Sequence, residues 1–353
     1  MEKVSRNMLI IASDPENYST QAIEQEAKKR GHQVTVLTPD DFYLHVSDVN
    51  GHDKVFVKSK RVFKKNIDVV IPRIGTYLEF GAAIVHHWTH NIGIPTTSLA
   101  EGLLNASDKW RTIQLLSEHR VSVPRTTLMK KPEDFGALVN TVGGLPVVAK
   151  LLKGSQGKGV FILETNLGGS TGLQAFYNNN MTVMLQQFIE TAKEEEQKSD
   201  LRIWVVNGQV VAAFRRLSLH EDFRSNYSIS KAGEEVELTE EEKELAVKAA
   251  DAVGLACAGV DIMRDYRNEN KPYVIEVNGN ASLKGIQTVT GINIAAAIVD
   301  YAETLCKNGR TKATAEEPAQ QMTRQPARSS AHNYLSPLTV KAMSRSERKK
   351  LGI

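Results

Sequence analysis

Cysteine and long apolar runs are both scarce in this 353-residue chain, which contains 2 cysteines. Cys257 and Cys306 lie in apolar surroundings without the spacing of a metal site, so the sequence favours buried free thiols over a disulfide, a zinc site or a nucleophile. No stretch approaches the roughly 20 apolar residues that span a bilayer, and the N-terminus lacks the apolar core of a secretory signal. We therefore expect a cytoplasmic protein without a membrane segment.

The common nucleotide-binding loops do not fit either. An apolar strand pattern carrying Lys150 runs into a loop with Gly154, Gly157 and Gly159, but a second strand pattern at 160–163 follows where a P-loop requires a helix. Glycines allow such a loop to turn tightly and to bring backbone N–H groups against an anion. Taken alone, the pattern predicts equally well a flap that covers a polyphosphate and a plain glycine-rich hairpin.

A second group of polar residues lies more than a hundred residues downstream. Asp261 stands in one apolar strand pattern, and Glu276 and Asn278 stand in the next, beyond a polar turn at 265–270. Because strand side chains alternate, Glu276 and Asn278 share a face, and we expect the two strands to be antiparallel neighbours. Oxygen atoms of this kind are what Mg²⁺ prefers, so the three residues are candidate metal ligands; the alternative is that each acid simply faces water.

The N-terminal region, 1–97, is predicted to be a small α/β domain. Apolar strand patterns at 8–12, 34–37 and 69–71 alternate with a helical pattern at 20–30, which is typical of a parallel sheet. Ligands collect at the carboxyl ends of parallel strands, so Arg73 and Gly75, just beyond the third strand, are candidate substrate contacts; the alternative is a surface arginine.

Histidines cluster near Trp88, in a segment that reads as helical. We interpret His86, His87 and His90 as surface or packing residues rather than as metal ligands.

Two further lobes are predicted between residues 98 and 307. The first, 98–183, contains the lysine strand and the glycine-rich loop, and a helix is expected to begin near Ser107-Asp108 as the N-cap. The second, 184–307, contains the candidate metal strands and helical patterns at 240–252 and 295–305.

The last segment, 308–353, differs in composition from the rest of the chain. From residue 311 it is rich in Ser, Thr, Pro, Gln and Ala, with eight Lys or Arg against three Glu. Such a composition buries too little apolar surface to offset chain entropy, so we expect a disordered basic tail. The tail could dock on an acidic partner, on RNA or on a ribosome surface, or it could be a solvated extension without a partner.

The order of these motifs resembles the ATP-grasp superfamily, and their detail is similar to its RimK-type α-L-glutamate ligases, which modify ribosomal protein. The segments that carry the resemblance span roughly residues 5 to 305, and they are 70–75, 108–109, 148–160, 222–226, 258–262 and 276–278. The resemblance implies an α/β protein with α+β lobes: an ATP-grasp fold preceded by a small parallel α/β domain and followed by the tail.

The resemblance also implies roles for individual residues. Nucleotide contacts would come from Lys109, Lys150, Gly154, Ser155, Gln156, Gly157, Gly159, Gln187, Phe188, Asp200, Arg224, Ser225 and Asn226, with Gln187 and Phe188 against adenine and Asp200 on the ribose. The metal would be held by Asp261, Glu276 and Asn278, and the substrate by Arg73, Gly75 and Asn280. Catalysis would involve Lys150, Arg202 and Arg216; we infer that the two arginines bind the acyl phosphate or the incoming carboxylate.

Two departures from the family pattern affect specificity. Gln186-Gln187 stands where these ligases usually have Gln-Glu, so we expect weaker preference for adenine, because a glutamine carbonyl can still accept the bond from its amino group. The turn 279–282 reads Gly-Asn-Ala-Ser instead of Ala-Ser-Pro-Gly. Because that turn borders the reaction centre, the second departure puts substrate choice in doubt more than catalysis.

By this resemblance the protein is an ATP-dependent carboxylate–amine ligase. ATP, with Mg²⁺ or Mn²⁺, would convert a carboxylate to an acyl phosphate that an amine attacks, with release of ADP and phosphate. The amine would be L-glutamate or a similar amino acid, and the acceptor a carboxylate such as a protein C-terminus. A small peptide or cofactor as acceptor stays open, as does a non-catalytic ATP-binding regulator that uses the basic tail as its contact. The family also implies a homo-oligomer.

Overall fold

A computed structural model of the protein describes residues 4–47, 54–152, 159–193, 198–218 and 233–308. The chain divides into two units, Met1–Ala313 and Thr314–Ile353. The second unit, with nearly all of the predicted tail, lies outside the described residues. The fold below is therefore that of the first unit.

The chain begins with a parallel sheet. Its first elements are β1 Asn7–Ala12, α1 Tyr18–Lys29, β2 Gln33–Leu37, β3 Phe42–His45, β4 Lys54–Val57, β5 Lys60–Val62, β6 Val69–Arg73 and α2 Leu78–His86. Strand β1 is almost entirely buried and lies between β2 and β6, pairing in parallel with both, which confirms the predicted parallel α/β arrangement. Helix α1 starts where the Asn17 side chain accepts a hydrogen bond from the Ser19 backbone at 3.0 Å.

A small antiparallel sheet of β3, β4 and β5 also forms in this region, and the sequence patterns did not predict it. These strands are three or four residues long and carry lysine and arginine, so their apolar alternation is too weak to be read without their partners.

The next part of the chain builds the sheet that carries Lys150. Its elements are α3 Ala100–Ser107, α4 Lys109–Glu118, β7 Thr126–Met129, α5 Phe135–Thr141, β8 Val147–Leu151, β9 Val160–Leu163, α6 Asn166–Asn178 and β10 Val183–Gln187. The strand order is β7-β10-β8-β9, with all neighbours antiparallel. Asp108 caps α4, as predicted, by accepting hydrogen bonds from Trp110 and Arg111 N–H at 2.9 and 3.0 Å. The side chains of Phe135, Val147 and Leu185 form the core beneath this sheet.

A larger antiparallel sheet follows and carries most of the candidate site. Its elements are β11 Ser199–Val206, β12 Gln209–Leu217, β13 Gly233–Glu235, α7 Glu240–Val253, β14 Cys257–Asp265, β15 Lys271–Asn278, α8 Lys284–Thr290 and α9 Ile294–Asn308. The strand order is β13-β12-β11-β14-β15, and β14 and β15 are antiparallel neighbours as the sequence predicts. The register sets Asp261 directly between Arg202 on β11 and Glu276 on β15.

The two faces of this sheet belong to different cores. On one face, Ile203 and Val260 pack in a core with Val253 of α7. On the other face, Trp204 shares a core with Ile10 of β1 and Ile298 of α9. This second core joins the N-terminal sheet to the large sheet, so the carboxyl end of β6, where Arg73 stands, meets the same face as the candidate metal ligands.

Helices α8 and α9 contribute apolar residues to that shared core, among them Ile286, Ile294 and Ile298. Among the described residues, no single helix has both the length and the apolar character needed to cross a membrane. Helices α8 and α9 meet those criteria only when taken together, as two segments bent by 114°.

Both cysteines are free thiols, but only one matches the predicted burial. Cys257 is buried, and desolvation raises the pKa of its thiol to about 12, which keeps it protonated and unreactive. Cys306 was also predicted to be buried; it is only partly covered, because it lies near the end of α9.

Helix α7 begins at a buried ion pair whose removal we expect to be costly. Thr239 and Glu242 form a capping box, with Thr239 N–H donating to Glu242 at 2.9 Å, and Arg264 donates two hydrogen bonds to the same carboxylate at 2.5 and 2.8 Å. Glu242 is 2% exposed. We predict that Glu242→Ala lowers the free energy of unfolding by about 3 kcal/mol, because it removes the carboxylate that accepts from Thr239 N–H and leaves Arg264 without its ion-pair partner.

Urea denaturation would measure this change, with Glu244→Ala as the matched control because Glu244 is an exposed glutamate of the same helix. The control should change stability by less than about 0.5 kcal/mol. Equal stability of the two variants would contradict the structural role given to Glu242.

Candidate active site

Five charged side chains meet on one face of the large sheet. Arg202 binds Asp261 through both Nε and Nη2, the latter at 2.9 Å from Oδ2. Arg216 binds Asp200 through Nε at 2.8 Å and through Nη2, and its Nη2 also lies 2.9 Å from Asp261 Oδ2. Glu276 stands across the strand pair from Asp261. Each position follows from the register of β11, β12, β14 and β15, so the sheet itself fixes this constellation.

Arg202 can lie across β14 because residue 259 is glycine. A Cβ on Gly259 would come within 2.5 Å of Ala281 Cβ and 3.1 Å of Arg202 Cδ. Asp261 is 5% exposed, and burial alone would raise its pKa, but Arg202 and Arg216 outweigh this and hold the pKa below the ordinary value. Asp261 is therefore a carboxylate at neutral pH.

The donor set of Asp261, Glu276 and Asn278 fits a hard divalent cation. Asp261 and Glu276 face each other on paired strands, and Asn278 Nδ2 lies 3.5 Å from Asp261 Oδ2, which leaves its amide oxygen as a possible ligand. Two carboxylates and an amide, completed by waters and phosphate oxygens, are a usual environment for Mg²⁺. Asp261 already accepts hydrogen bonds from two arginines, so it would share its oxygens between them and the cation.

Lys150 lies opposite this acidic group, on the sheet of β8. Its side chain is 9% exposed and donates a hydrogen bond of 2.6 Å to Gln186 Oε1, and Gln186 in turn donates to Thr126 Oγ1 at 3.0 Å. Burial lowers the pKa of Lys150 to about 8; Glu276 and Asp261 partly oppose the shift and Lys109 adds to it. Glu276, Asp261 and Lys109 therefore each lie within electrostatic range of Lys150.

The lowered pKa of Lys150 predicts how ATP affinity depends on pH. A neighbouring phosphate stabilises the ammonium, so ATP binding should take up a proton wherever free Lys150 is partly neutral, that is, near and above pH 8. We expect the dissociation constant for ATP to be flat below pH 7 and to rise above pH 8, approaching about tenfold per pH unit. Calorimetry in two buffers with different ionisation enthalpies would count the protons taken up.

Lys150→Met is the control for this experiment, because it keeps the length of the side chain and has no titrating group. Its residual ATP binding should show no proton uptake at pH 8.5. Equal uptake by the variant and the wild type would contradict the assignment of this pH dependence to Lys150.

Gln187 lies in the hinge between the sheet that carries Lys150 and the large sheet. Its side chain makes other contacts than the sequence analysis expected. Its Oε1, predicted to accept from the adenine amino group, already accepts from Arg125 N–H at 3.3 Å and Nε at 3.2 Å. Phe188 lies under Lys198, whose Nζ is 4.8 Å from the ring centroid. Gln187 and Phe188 both line an open cavity of about 780 Å³ on the hinge side of the lobes.

The carboxylate of Asp200, which the sequence analysis assigned to the ribose, is already engaged by a protein side chain. It is 6% exposed and paired with Arg216, so its carboxylate supports the arginine. The sequence pattern could not indicate this, because the pairing depends on the register that sets Asp200 opposite Arg216. Its contact with a ribose stays a prediction.

The three candidate substrate residues lie together where the N-terminal sheet meets the large sheet. Arg73 Nη2 donates to the Ala281 carbonyl at 2.8 Å, and a Cβ on Gly75 would lie 3.0 Å from Asn280 Nδ2. Arg73 is 6% exposed, and its Nε has no hydrogen-bond partner among the described residues. Desolvation lowers the pKa of Arg73 to about 10. The turn that departs from the family pattern is therefore the one that holds Arg73.

Several predicted nucleotide contacts lie outside the described residues. These are Gly154, Ser155, Gln156 and Gly157 of the glycine-rich loop, and Arg224, Ser225 and Asn226. Gly159, at the end of the loop, is described: it has φ +79°, and its carbonyl accepts from Leu151 N–H at 2.9 Å. This bond joins the end of β8 to the residue before β9, and the two strands expected from the sequence are present as antiparallel neighbours.

Comparison with known proteins identifies the family of both parts of the chain. Residues 7–103 match the RimK PreATP-grasp domain, and residues 106–302 match the RimK-like ATP-grasp domain. A protein of Shewanella amazonensis named "Probable alpha-L-glutamate ligase 2" is 36% identical over 295 residues, which are 83% of this chain and 94% of that protein. A "Probable alpha-L-glutamate ligase" of Thioalkalivibrio sulfidiphilus is 35% identical over 303 residues, covering 86% and 97%.

Solved structures show the same fold. The ATP-grasp ligase PsnB complexed with minimal precursor, Mg and ADP has a TM-score of 0.65 at 19% identity, covering 85% of this chain and 98% of that one. D-alanine–D-alanine ligase from Bacillus anthracis complexed with ATP has a TM-score of 0.57 at 17% identity, covering 86% and 99%. The ATP-grasp fold expected from the sequence is thus confirmed. The chain belongs to the RimK-type ATP-grasp ligases, enzymes that use ATP and a divalent metal to join a carboxylate to an amine through an amide bond.

Proposed function

We propose that this ligase adds L-glutamate to the carboxylate of an acceptor, with a protein C-terminus as the acceptor class. An acceptor carboxylate oxygen forms a bond to the γ-phosphorus of ATP while the bond to ADP breaks, which gives an acyl phosphate. The glutamate amine then attacks the acyl carbon, phosphate leaves and the nitrogen loses a proton. The products are the extended acceptor, ADP and phosphate.

The observation that carries this proposal is the unpaired charge of Arg73. Among the described residues, no carboxylate contacts its guanidinium, although the side chain is buried. A buried cation without an anion is costly, so such a group is a candidate binding site for a carboxylate. Glutamate has two carboxylates besides the amine that reacts, and an arginine can bind one of them in a bidentate manner.

The total charge of the site supports the same conclusion. Among the residues that the structure describes, five basic side chains and three carboxylates give a formal excess of two positive charges. The cations are Arg73, Lys109, Lys150, Arg202 and Arg216, and the anions are Asp200, Asp261 and Glu276. A divalent metal would add positive charge there and would stabilise the phosphoryl oxygens of ATP. A site of this kind suits a triphosphate together with further carboxylates.

Each charged side chain of the site would act by binding or neutralising charge on the substrates. Lys150, a buried ammonium facing Asp261 and Glu276, would neutralise charge on the phosphates. Arg202 and Arg216 would bind the acyl phosphate or the incoming carboxylate from their positions beside Asp261. Asp261, Glu276 and Asn278 would hold Mg²⁺ or Mn²⁺, because all three donors are hard oxygens and suit either cation. Glutamate as the amine is also supported by the names of the two bacterial relatives.

Transfer of isotope-labelled amino acids would test this function directly. The full chain is incubated with ATP, Mg²⁺, a lysate and labelled L-glutamate, L-aspartate or D-glutamate, and the labelled product is identified by mass spectrometry. We expect label from L-glutamate in amide linkage at the C-terminus of a protein. Label from another amino acid alone would contradict the choice of glutamate, and label confined to a small molecule would contradict the acceptor class.

A variant of Arg73 tests the observation on which the choice of amine rests. Arg73→Met keeps the volume of the side chain and removes its charge, so we expect the KM for glutamate to rise by roughly 10- to 100-fold with the KM for ATP unchanged. Arg61→Met, on the exposed strand β5, is the matched control. An unchanged KM for glutamate in Arg73→Met would remove the proposed carboxylate site.

A further inference from the structure

A cluster of two histidines and a glutamate lies on the surface of the N-terminal domain. Helix α2 ends at His86, and the chain continues as a π-helical turn, His87–Ile92, that contains His90. Glu101 stands in the first turn of α3, which packs beside α2. All three side chains are exposed, whereas the intervening His87 and Trp88 are buried.

The contacts within this cluster bring three potential ligand atoms together. His86 Nδ1 lies 3.1 Å from Glu101 Oε1, and the centroids of the His86 and His90 rings are 4.4 Å apart. One ligand atom from each residue lies within 4.8 Å of the other two. Two ligands of a tetrahedral Zn²⁺ with bonds of about 2.0–2.1 Å are about 3.3 Å apart. The His86–Glu101 pair already has this spacing, and His90 needs to move by roughly 1.5 Å, which an exposed side chain can do.

We propose that His86, His90 and Glu101 form a binding site for Zn²⁺ or a similar divalent transition metal. Two imidazole nitrogens and one carboxylate oxygen are ligands that suit Zn²⁺, and water would take the fourth position. The histidines are four residues apart, so the helix directs both towards one side, and the π turn belongs to a class of helical irregularity that is frequent at functional sites. The sequence interpretation of these residues as surface or packing residues agrees with their burial, but the proposal replaces its expectation that His86 and His90 are not metal ligands.

This site differs from the candidate active site in its chemistry. Imidazole selects Zn²⁺, Cu²⁺ or Ni²⁺, whereas Asp261, Glu276 and Asn278 offer only oxygen and suit Mg²⁺. The metal would connect α2 to α3 and so would stabilise the N-terminal domain. The proposal is independent of the substrate assigned to the ligase.

Metal titration of the full chain, prepared without a histidine tag and in excess Mg²⁺ to saturate oxygen sites, would test it. We expect one Zn²⁺ per chain by calorimetry, one Co²⁺ with a visible absorption band of a tetrahedral complex, and a rise in Tm on addition of Zn²⁺. His86→Ala, His90→Ala and Glu101→Gln should each weaken binding by at least about tenfold, since even changes beyond the direct ligands cost 10- to 100-fold.

His119→Ala is the matched control, because His119 is exposed and lies on α4's C-terminal end, away from the three ligands. It should bind Zn²⁺ like the wild type and show the same rise in Tm. Absence of stoichiometric Zn²⁺ and Co²⁺ binding by the wild type would overturn the proposal. Undiminished binding by both His86→Ala and His90→Ala would do so as well.

Discussion

Glu276→Gln should reduce kcat/KM of the ligation by at least about a hundredfold while leaving the free energy of unfolding unchanged. The substitution keeps the shape of the side chain and removes the charge that faces Asp261 across the strand pair. A positioned electrostatic group is typically worth about 3 kcal/mol in a transition state, which is a factor of more than a hundred in rate. Glu276 is only partly buried, so its neutral analogue creates no unpaired buried charge.

Phosphate release in the presence of ATP, Mg²⁺, glutamate and acceptor would measure this effect, and urea denaturation would measure stability. Glu235→Gln is the matched control, because Glu235 is an exposed glutamate on β13 of the same sheet. The control should retain full activity. Near-normal activity of purified, folded Glu276→Gln would show that the carboxylate has no part in metal binding or catalysis.

Arg216→Met should affect both stability and activity. The guanidinium is buried and links Asp200 to Asp261, so its removal takes a cation away from both buried carboxylates; the ion pair between Asp261 and Arg202 remains. Breaking a buried ion pair from one side typically costs about 3–5 kcal/mol, and we expect a loss of that size in the free energy of unfolding at pH 7. Activity should fall by at least about a hundredfold if Arg216 binds the acyl phosphate or the incoming carboxylate, as we propose.

A second substitution separates the two effects of Arg216. Asp200→Asn removes one of the two carboxylate charges that Arg216 neutralises, so the double variant Arg216→Met/Asp200→Asn should recover part of the stability and remain inactive. The pH dependence gives a further check. The pKa of Asp261 is held low by Arg202 and Arg216 in the wild type, so its contribution is present above its ordinary pKa and is lost as the pH falls below it.

In the single variant the pKa of Asp261 rises, because one of the two arginines is gone. The deficit in stability relative to the wild type should therefore shrink as the pH falls towards 4 and the carboxylates become neutral. A deficit that is independent of pH, or a double variant as unstable as the single one, would contradict the ion-pair origin of the effect.

Local patterns in the sequence predicted the elements that hold the site. The uninterrupted apolar run of β1 indicated a buried parallel strand, Asp108 indicated the start of α4, and the alternation around Asp261 and Glu276 indicated paired strands. Each of these signals involves neighbouring residues, and burial or capping explains it.

The contacts that cross the fold could not be predicted in the same way. Arg202 reaches Asp261 only because β11 and β14 are paired in one register, and Arg73 meets the Ala281 carbonyl 208 positions away. The engagement of Gln187 by Arg125 likewise depends on how the hinge folds back on β7. The pairing of His86 with Glu101 required the packing of α2 on α3. Composition and spacing contain no information on such distant pairs.

We propose that one ATP binds in a Mg²⁺-dependent manner between Lys150 on one sheet and Asp261 with Glu276 on the other. Isothermal titration calorimetry of ATP with and without Mg²⁺, on the wild type, Lys150→Met and Glu276→Gln, tests it most directly. We predict one ATP per chain for the wild type, at least tenfold weaker binding without Mg²⁺, and a similar loss in both variants. Equal ATP affinity in all three proteins, unaffected by Mg²⁺, would contradict the account.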